Sequence, residues 1–383
     1  MNKELQLTFP SFDETEIDEL RQCLDSKWVT QGPMVKKFEQ AVAKAHQLPH
    51  ALATTSCTAA LHLATMALGL GPGDEVIVPA FTWVTSAHSA EYVGAKAVFC
   101  DVDLNTFNID PAALEAAITP RTKAVVVVHL FGLAAPMKEI LAITKPRGIK
   151  VIEDAACAIG TRYAGKPIGA MGDIGCFSFH PRKVVTTGEG GAVTTADDDL
   201  ATIVASLRNH GASLDPATAM GPARPWHLAL FDRVGYNLRL SDIQAAVGVA
   251  QMRKLDSLLA ERSHRAMRYQ EHIASIDGLV RPTIPVDSGH TFQSYVIRIP
   301  DGRPRRNKMM EHLQAASIQT RPGTHAVHRL GYYKNRYGYQ ASDFPNACLA
   351  EDTTITLPIF PGMTDAEQDF IVKEVRAAAK QSV

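Results

Sequence analysis

Apolar and polar positions follow two rhythms along this chain. Over 13–26, Ile17, Leu20 and Leu24 fall near helical spacing behind Asp13, which is suited to cap a helix start, and a second amphipathic stretch covers 34–46 after a Gly- and Pro-containing loop at 28–33. From residue 51 the pattern changes. Short Val-, Ile- and Ala-rich runs predict strands at 51–55, 75–78, 95–102, 123–129 and 150–153, separated by helical segments at 58–68, 85–93, 111–117 and 136–145. Strands that are apolar at consecutive positions are buried on both faces, so this rhythm predicts an α/β fold with a largely parallel sheet covered by helices on both sides.

After residue 192 the rhythm loosens. A helix is predicted over 197–209, then a polar loop over 210–234, and then a long helical stretch from 241 to 273 that either continues or breaks in two. A strand at 293–299 and helices at 306–315 and 364–380 complete what reads as a smaller C-terminal body docked on the first.

Composition narrows the function classes. At 383 residues the chain can bury a large core, and 46% apolar with 21% charged residues is ordinary for a soluble globular enzyme. A formal charge of −1, with acids and bases interspersed, offers no basic face to nucleic acid or an anionic membrane. Cys23, Cys57, Cys100, Cys157, Cys176 and Cys348 are scattered without a Cys-x-x-Cys, which argues against a disulfide framework or a metal site and for a reducing, cytoplasmic setting. The N-terminus lacks an apolar signal core and no apolar run approaches the length of a membrane span.

The candidate chemistry sits in Cys176-Phe-Ser-Phe-His-Pro-Arg-Lys183 and the Thr- and Gly-rich turn that runs on to Gly191. A short apolar strand stops at Pro181 and leaves Lys183 on that turn. A lysine held rigidly beside a buried strand is a candidate imine-forming amine; taken alone it reads as a solvated surface residue. Upstream, Lys150-Val-Ile-Glu-Asp-Ala155 is a strand ending in a carboxylate. Lysine and aspartate on neighbouring strand ends are the pair that pyridoxal 5'-phosphate (PLP) needs, one for the Schiff base and one for the pyridinium nitrogen. Thr55-Ser-Cys-Thr-Ala-Ala-Leu61 lies between a strand and a helix, where backbone N–H groups and the helix N-terminus suit a phosphate, although Ser56 or Thr58 alone reads as an ordinary cap. Ser178 is a second phosphate candidate, and Trp83 either stacks on a cofactor ring or packs in the core. A Rossmann-type dehydrogenase is disfavoured, because the turn after the first α/β strand reads Thr-Ser-Cys-Thr and not Gly-x-Gly-x-x-Gly.

Nearly end to end, the chain resembles the PLP-dependent nucleotide-sugar aminotransferases, a fold type I family related in fold to aspartate aminotransferase. The motifs that carry the resemblance are Thr30-Gln-Gly-Pro33, the 55–61 segment, Gly73-Asp-Glu-Val-Ile-Val-Pro-Ala-Phe-Thr-Trp83, Val151-Ile-Glu-Asp-Ala-Ala156, Phe177-Ser-Phe-His-Pro-Arg-Lys183, Thr187-Gly-Glu-Gly-Gly-Ala192, Gly235-Tyr-Asn-Leu-Arg-Leu-Ser-Asp242 and Leu357-Pro-Ile-Phe-Pro-Gly-Met-Thr364. Each is weak alone; their order makes the match specific. The resemblance implies a large PLP-binding domain, 1–245, with a mostly parallel seven-stranded sheet between helices, and a smaller α+β domain, 246–383. It implies Lys183 and Asp154 as catalytic residues. Thr58, Ala59 and Ser178 are implied at the cofactor's phosphate, Trp83 against its ring, and Cys57 and Cys157 beside it. Asn237 is implied to reach the phosphate of the neighbouring subunit's cofactor, giving a homodimer with shared active sites. Thr30, His180, Arg182, Arg239, Arg321 and His325 are implied around the substrate, with packing or surface charge as the competing reading of His180, Arg182, Arg321 and His325.

Two positions qualify the resemblance. Cys157 stands where many members carry Gln or His against the cofactor's phenolic oxygen, and a thiol is a weaker donor, so tuning without loss of activity is expected. Lys183 stands where sugar-dehydrating relatives carry histidine, which favours transamination. The implied activity moves an amino group from L-glutamate to a nucleotide-linked keto-sugar, a 4-keto-6-deoxyhexose, for amino-sugar and surface polysaccharide synthesis. A cyclitol or other cyclic ketone is the alternative acceptor. A non-catalytic nucleotide-sugar-binding protein is the alternative class, and intact Lys183 and Asp154 count against it.

Overall fold

Seven strands form the central sheet: β1 (His50–Thr54), β2 (Glu75–Pro79), β3 (Lys96–Cys100), β4 (Thr122–Val128), β5 (Lys150–Asp154), β6 (Ile174–Ser178) and β7 (Gly191–Thr195). The computed structural model that contains them describes residues 4–213, 226 and 228–381. Strand order is β1-β7-β6-β5-β4-β2-β3. Neighbours are parallel except at β7, which runs antiparallel to both β1 and β6. The pattern of apolar residues did not predict β7. Its 179–190 connection to β6 holds the Lys183 turn and no α-helix, so the chain returns beside β6 antiparallel, without a helical crossover.

The continuous apolar runs have the predicted cause. Val76 and Val78 of β2, with Val126 and Val128 of β4, enter one core; Ile77, Val125 and Val127 enter the other. Full burial of each such side chain contributes about 1.5–3 kcal/mol, which favours apolar residues at every position. Helices α1 (Glu14–Asp25) and α2 (Pro33–His46) cover the second core, and α3 (Cys57–Ala67), α4 (Val84–Tyr92) and, further along, Asp198–Leu207 cover the first. Asp13 caps α1 as expected, and Glu16 returns a bond to the Asp13 amide in a capping box.

The stretch at 241–273 is two helices, α5 (Asp242–Arg253) and α6 (Leu255–Ile273), separated at Lys254, whose ψ of 0° leaves the helical region. α5 packs under the sheet with α1 and α2, and its Asp242 reaches across the fold. That carboxylate is 1% exposed and accepts the Gly32, Met34 and Val35 amides at 2.8, 3.1 and 2.9 Å, capping α2 from a distant segment. Beyond α6, a third core joins Ala266, Tyr269, Ile297, Leu313, Ile355 and Val375. It is built on β8 (Tyr295–Arg298), antiparallel to β9 (Thr354–Leu357), with α7 (Arg303–Ala315) and α8 (Asp365–Gln381) against it. Two helices at Gly331–Tyr337 and Pro345–Thr353, unmarked in the hydrophobic pattern, link this region back to the sheet. Among the described residues no helix is long and apolar enough to cross a membrane.

Candidate active site

Strand register gathers the chemistry at the carboxyl ends of the sheet, where open α/β sheets bind ligands. Thr54 and Ser178 both lie opposite Gly191, and Asp154 lies opposite both Val128 and Cys176. A cavity of about 740 Å³ opens there, and Ser56, Cys57, Thr58, Trp83, Asp154, Cys157, Ser178, His180, Arg182, Lys183, Arg321 and His325 all line it. The cavity therefore collects these residues from five separate stretches of sequence.

β5 ends in two acids with different tasks. Successive side chains of a strand point to opposite faces. Glu153 points away from the cavity, is fully buried and accepts His129 Nε2 at 3.1 Å and the Gly169, Met171 and Gly172 amides at 2.8, 2.8 and 2.6 Å. Asp154, 5% exposed, lines the cavity. Its Oδ2 accepts Ser86 Oγ at 2.7 Å and its Oδ1 accepts the Ala156 amide at 3.2 Å. Lys183 follows β6 on a turn closed by its amide donating to the His180 carbonyl at 2.8 Å, and its Nζ donates to Cys157 Sγ at 3.1 Å. Gln293, arriving from the third core, donates to the Arg182 carbonyl at 2.9 Å and so ties this turn to the C-terminal region.

A second corner suits a phosphate. α3 begins at Cys57 directly after β1, and Ser56 caps it by accepting the Ala59 amide at 3.1 Å. The first amides of a helix have no intrahelical partner, so those of Cys57 and Thr58 are the open donors here. Gly191 lets β7 approach this turn: a Cβ there would stand 2.4 Å from the Ser56 carbonyl carbon and oxygen. Amine, buried carboxylate, open helix amides and the Ser178 and Thr58 hydroxyls together form a donor set that fits PLP.

Part of the cavity wall is cationic. Arg182, Arg306 and Arg321 line the cavity, and among the described residues none of them forms an ion pair. Burial holds the Arg321 guanidinium below its ordinary range, and its Nε has no partner. Arg303 also lines the cavity but pairs with Asp352, while Glu351 is engaged by Arg329 at 2.7 Å. Burial likewise lowers the His180 imidazole, with Glu189 opposing that effect from 4.0 Å. Trp83 is 56% exposed at the head of α4, its ring 5.6 Å from that of His325, so it is not a core residue.

Four predicted residues lie apart from this cavity. The Ala59 amide is committed to Ser56. The Thr30 carbonyl accepts the Asp242 amide at 3.1 Å, placing it in the α2 cap. Arg239 donates to Asn209 Oδ1 at 2.7 Å, and Asn237 is exposed beside the same segment. The 210–234 loop expected to shape specificity lies largely outside the described residues. The sequence reading missed Thr82, Ser86, Gln293, Arg303, Arg306 and Glu351. Thr82 and Ser86 carried a faint signal, two hydroxyls one helical turn apart just after a strand; the others carry none that is local. Among the described residues no group of three His, Cys, Asp or Glu side chains is placed to hold a metal.

Comparison with known proteins agrees with this geometry. Residues 10–376 match the DegT/DnrJ/EryC1/StrS aminotransferase family. The chain is 39% identical to the spore coat polysaccharide biosynthesis protein SpsC of Bacillus subtilis, over 99% of this chain and 98% of that protein. It is also 39% identical to GDP-perosamine synthase of Caulobacter vibrioides, over 96% of each. Among solved structures, Spr1654 of Streptococcus pneumoniae, a proposed sugar aminotransferase, superposes in its PMP form with a TM-score of 0.93 at 29% identity, covering 99% of this chain and 100% of that one. Its PLP form gives 0.92.

Proposed function

We propose that this chain, which belongs to the DegT/DnrJ/EryC1/StrS aminotransferase family and is a PLP-dependent sugar aminotransferase, transfers an amino group from L-glutamate to the ketone of a nucleotide-linked sugar. The acceptor proposed is a 4-keto-6-deoxyhexose, and the product an amino sugar for surface polysaccharide. The observation that carries this reading is a lysine amine and a buried carboxylate sharing a cavity with three arginines that have no carboxylate partner among the described residues. Such a wall suits a ligand with several negative charges, as a sugar nucleotide or a dicarboxylic amino acid has, and fits a neutral cyclitol poorly. The similarity to GDP-perosamine synthase and to a spore coat polysaccharide protein supports the same class.

PLP, when bound, supplies an aldehyde that carries the amino group and a ring that takes up electrons from the reacting carbon. The chain's residues do the rest in this proposal. Asp154 holds the proton at the ring nitrogen, and Ser178, Thr58 and the α3 amides anchor the phosphate. Lys183 would hold the cofactor at rest and, once displaced, would serve as the general acid–base for the donor's Cα proton. Trp83 covers the ring, and Arg321 with Arg182 orients the acidic substrate. Asn237 and Arg239, absent from their own cavity and partly exposed, are proposed to serve a second copy's site in a homodimer. The six free thiols suit a reducing, cytoplasmic setting.

The test is a panel of nucleotide-linked 4-keto and 3-keto sugars incubated with glutamate and followed by the mass of the amino sugar. Conversion of at least one 4-keto sugar is expected. No conversion across the panel, with turnover of a free cyclitol ketone, would replace this reading.

A further inference from the structure

Ser86 is fully buried on α4, and Thr82, 1% exposed, precedes that helix. A buried hydroxyl without a partner is unfavourable, so apolar packing alone would select alanine at a site of this size. Both capacities of the Ser86 hydroxyl are in use: it lies 2.7 Å from Asp154 Oδ2 and 3.1 Å from Thr82 Oγ1. Donor count sets the direction. A carboxylate engaged with a pyridinium can only accept, so the single Ser86 proton goes to Asp154, and the Thr82 proton must then go to Ser86. The result is a directed chain, Thr82 to Ser86 to Asp154, in which each bond polarises the next.

Thr82 is itself held by the substrate side of the cavity. Its backbone pairs with His325 in a two-residue antiparallel ladder that also joins Phe81 to Ala326. The Ala326 amide in turn donates to Glu351 Oε1 at 3.0 Å. The strand segment bearing His325 therefore fixes the hydroxyl that orients the hydroxyl on Asp154.

We propose that Ser86, oriented by Thr82, is a positioning residue for the transamination: it holds Asp154 Oδ2 so that the carboxylate presents a fixed, charged acceptor to the cofactor's ring nitrogen. Held in that orientation, the carboxylate accepts from the ring nitrogen and keeps it protonated. This rests on the proposed role of Asp154. Without the Ser86 hydroxyl, the Ala156 amide on Oδ1 is the remaining protein bond to Asp154 among the described residues, and the carboxylate plane is less firmly held against rotation about Cβ–Cγ.

The experiment compares wild type with Ser86→Ala, Thr82→Val, Thr82→Ser and Asp154→Ala as purified full chains. Three readouts are taken: the PLP dissociation constant, by titrating the cofactor-free protein; kcat and KM for glutamate; and the pH at which the bound cofactor's absorbance reports loss of the ring-nitrogen proton. Ser86→Ala is expected to weaken PLP binding and lower kcat by about 10- to 100-fold each, the range for one hydrogen bond to a charged group, with KM for glutamate within twofold of wild type. The ring-nitrogen transition moves to lower pH. Thr82→Val, which keeps the shape and removes the hydroxyl, shifts the same three readouts in the same direction by less, and Thr82→Ser restores them. An unmoved transition and an unchanged PLP constant in folded Ser86→Ala and Thr82→Val overturn the proposal. If Asp154→Ala is also unchanged, the Asp154 role itself falls; if only Asp154→Ala is impaired, that role stands and Ser86 is merely packing.

Discussion

Replacing Glu153 with glutamine changes one atom of a fully buried side chain and leaves its volume intact. Oε1 accepts the Met171 and Gly172 amides and Oε2 accepts Gly169 and His129, so the glutamine NH2 must face one pair or the other. Two of the four bonds become donor–donor contacts whichever way the amide turns. His129 offers no relief by changing tautomer, because its Nδ1 already accepts the Ala135 amide at 3.0 Å. At about 1.5–3 kcal/mol for each hydrogen bond to a charged group, the expected loss of stability is about 3–6 kcal/mol. Chemical denaturation at pH 7 with fixed protein and cofactor concentrations measures it. The pH dependence follows from the carboxyl's environment: burial pushes it up, and the bonds from His129, Gly172 and Gly169 outweigh that and leave it below the ordinary range. A depressed folded value gives stability that is present above the unfolded-state value and lost as pH falls through the folded one, so the gap between wild type and Glu153→Gln should narrow below about pH 4. The neighbouring Asp154→Asn change should do the reverse, sparing the fold while lowering turnover on the order of 10²–10³-fold. The reasoning is refuted if Glu153→Gln is as stable as wild type, or if it folds normally and loses turnover as steeply as Asp154→Asn.

Further expectations concern three other residues. Lys183→Ala should abolish turnover and covalent retention of the cofactor; peptide mapping after borohydride trapping should find the adduct at Lys183 in wild type and nowhere in the variant. Arg321→Ala removes a cavity cation without a carboxylate partner among the described residues, and kcat/KM for the acidic substrate should fall about 10- to 100-fold, with an unchanged melting temperature separating this from misfolding. Asp242→Ala orphans three amides at the start of α2, and denaturation should show a loss of about 3–5 kcal/mol, the range for breaking a buried charged contact.

What was legible in the chain was whatever depends on near neighbours. The runs at 75–78, 123–129 and 150–153 announced strands buried on both faces because consecutive interior positions, 76–78, 124–128 and 151–152, are all apolar, and the structure divides those side chains between two cores. Asp13 marked the start of α1 through a box spanning only Asp13 to Glu16. Lys183, Asp154 and Ser178 stood out because the motifs around them are contiguous, and the cavity contains all three. Tertiary structure alone decided the rest. Asp242 caps α2, more than 200 residues away. Ser86 meets Asp154 across 68 positions. Arg306 looks like one charge among several on a helix until that helix docks and turns it to the cavity. The split of Glu153 and Asp154 into a structural and a cavity carboxylate was fixed by what docks on each face of β5, His129 and the 169–172 amides against Glu153 and Ser86 against Asp154. Local patterns set backbone periodicity, because φ, ψ and side-chain direction repeat over a few residues. Pairing between distant segments depends on register and docking, and no short window of sequence encodes either.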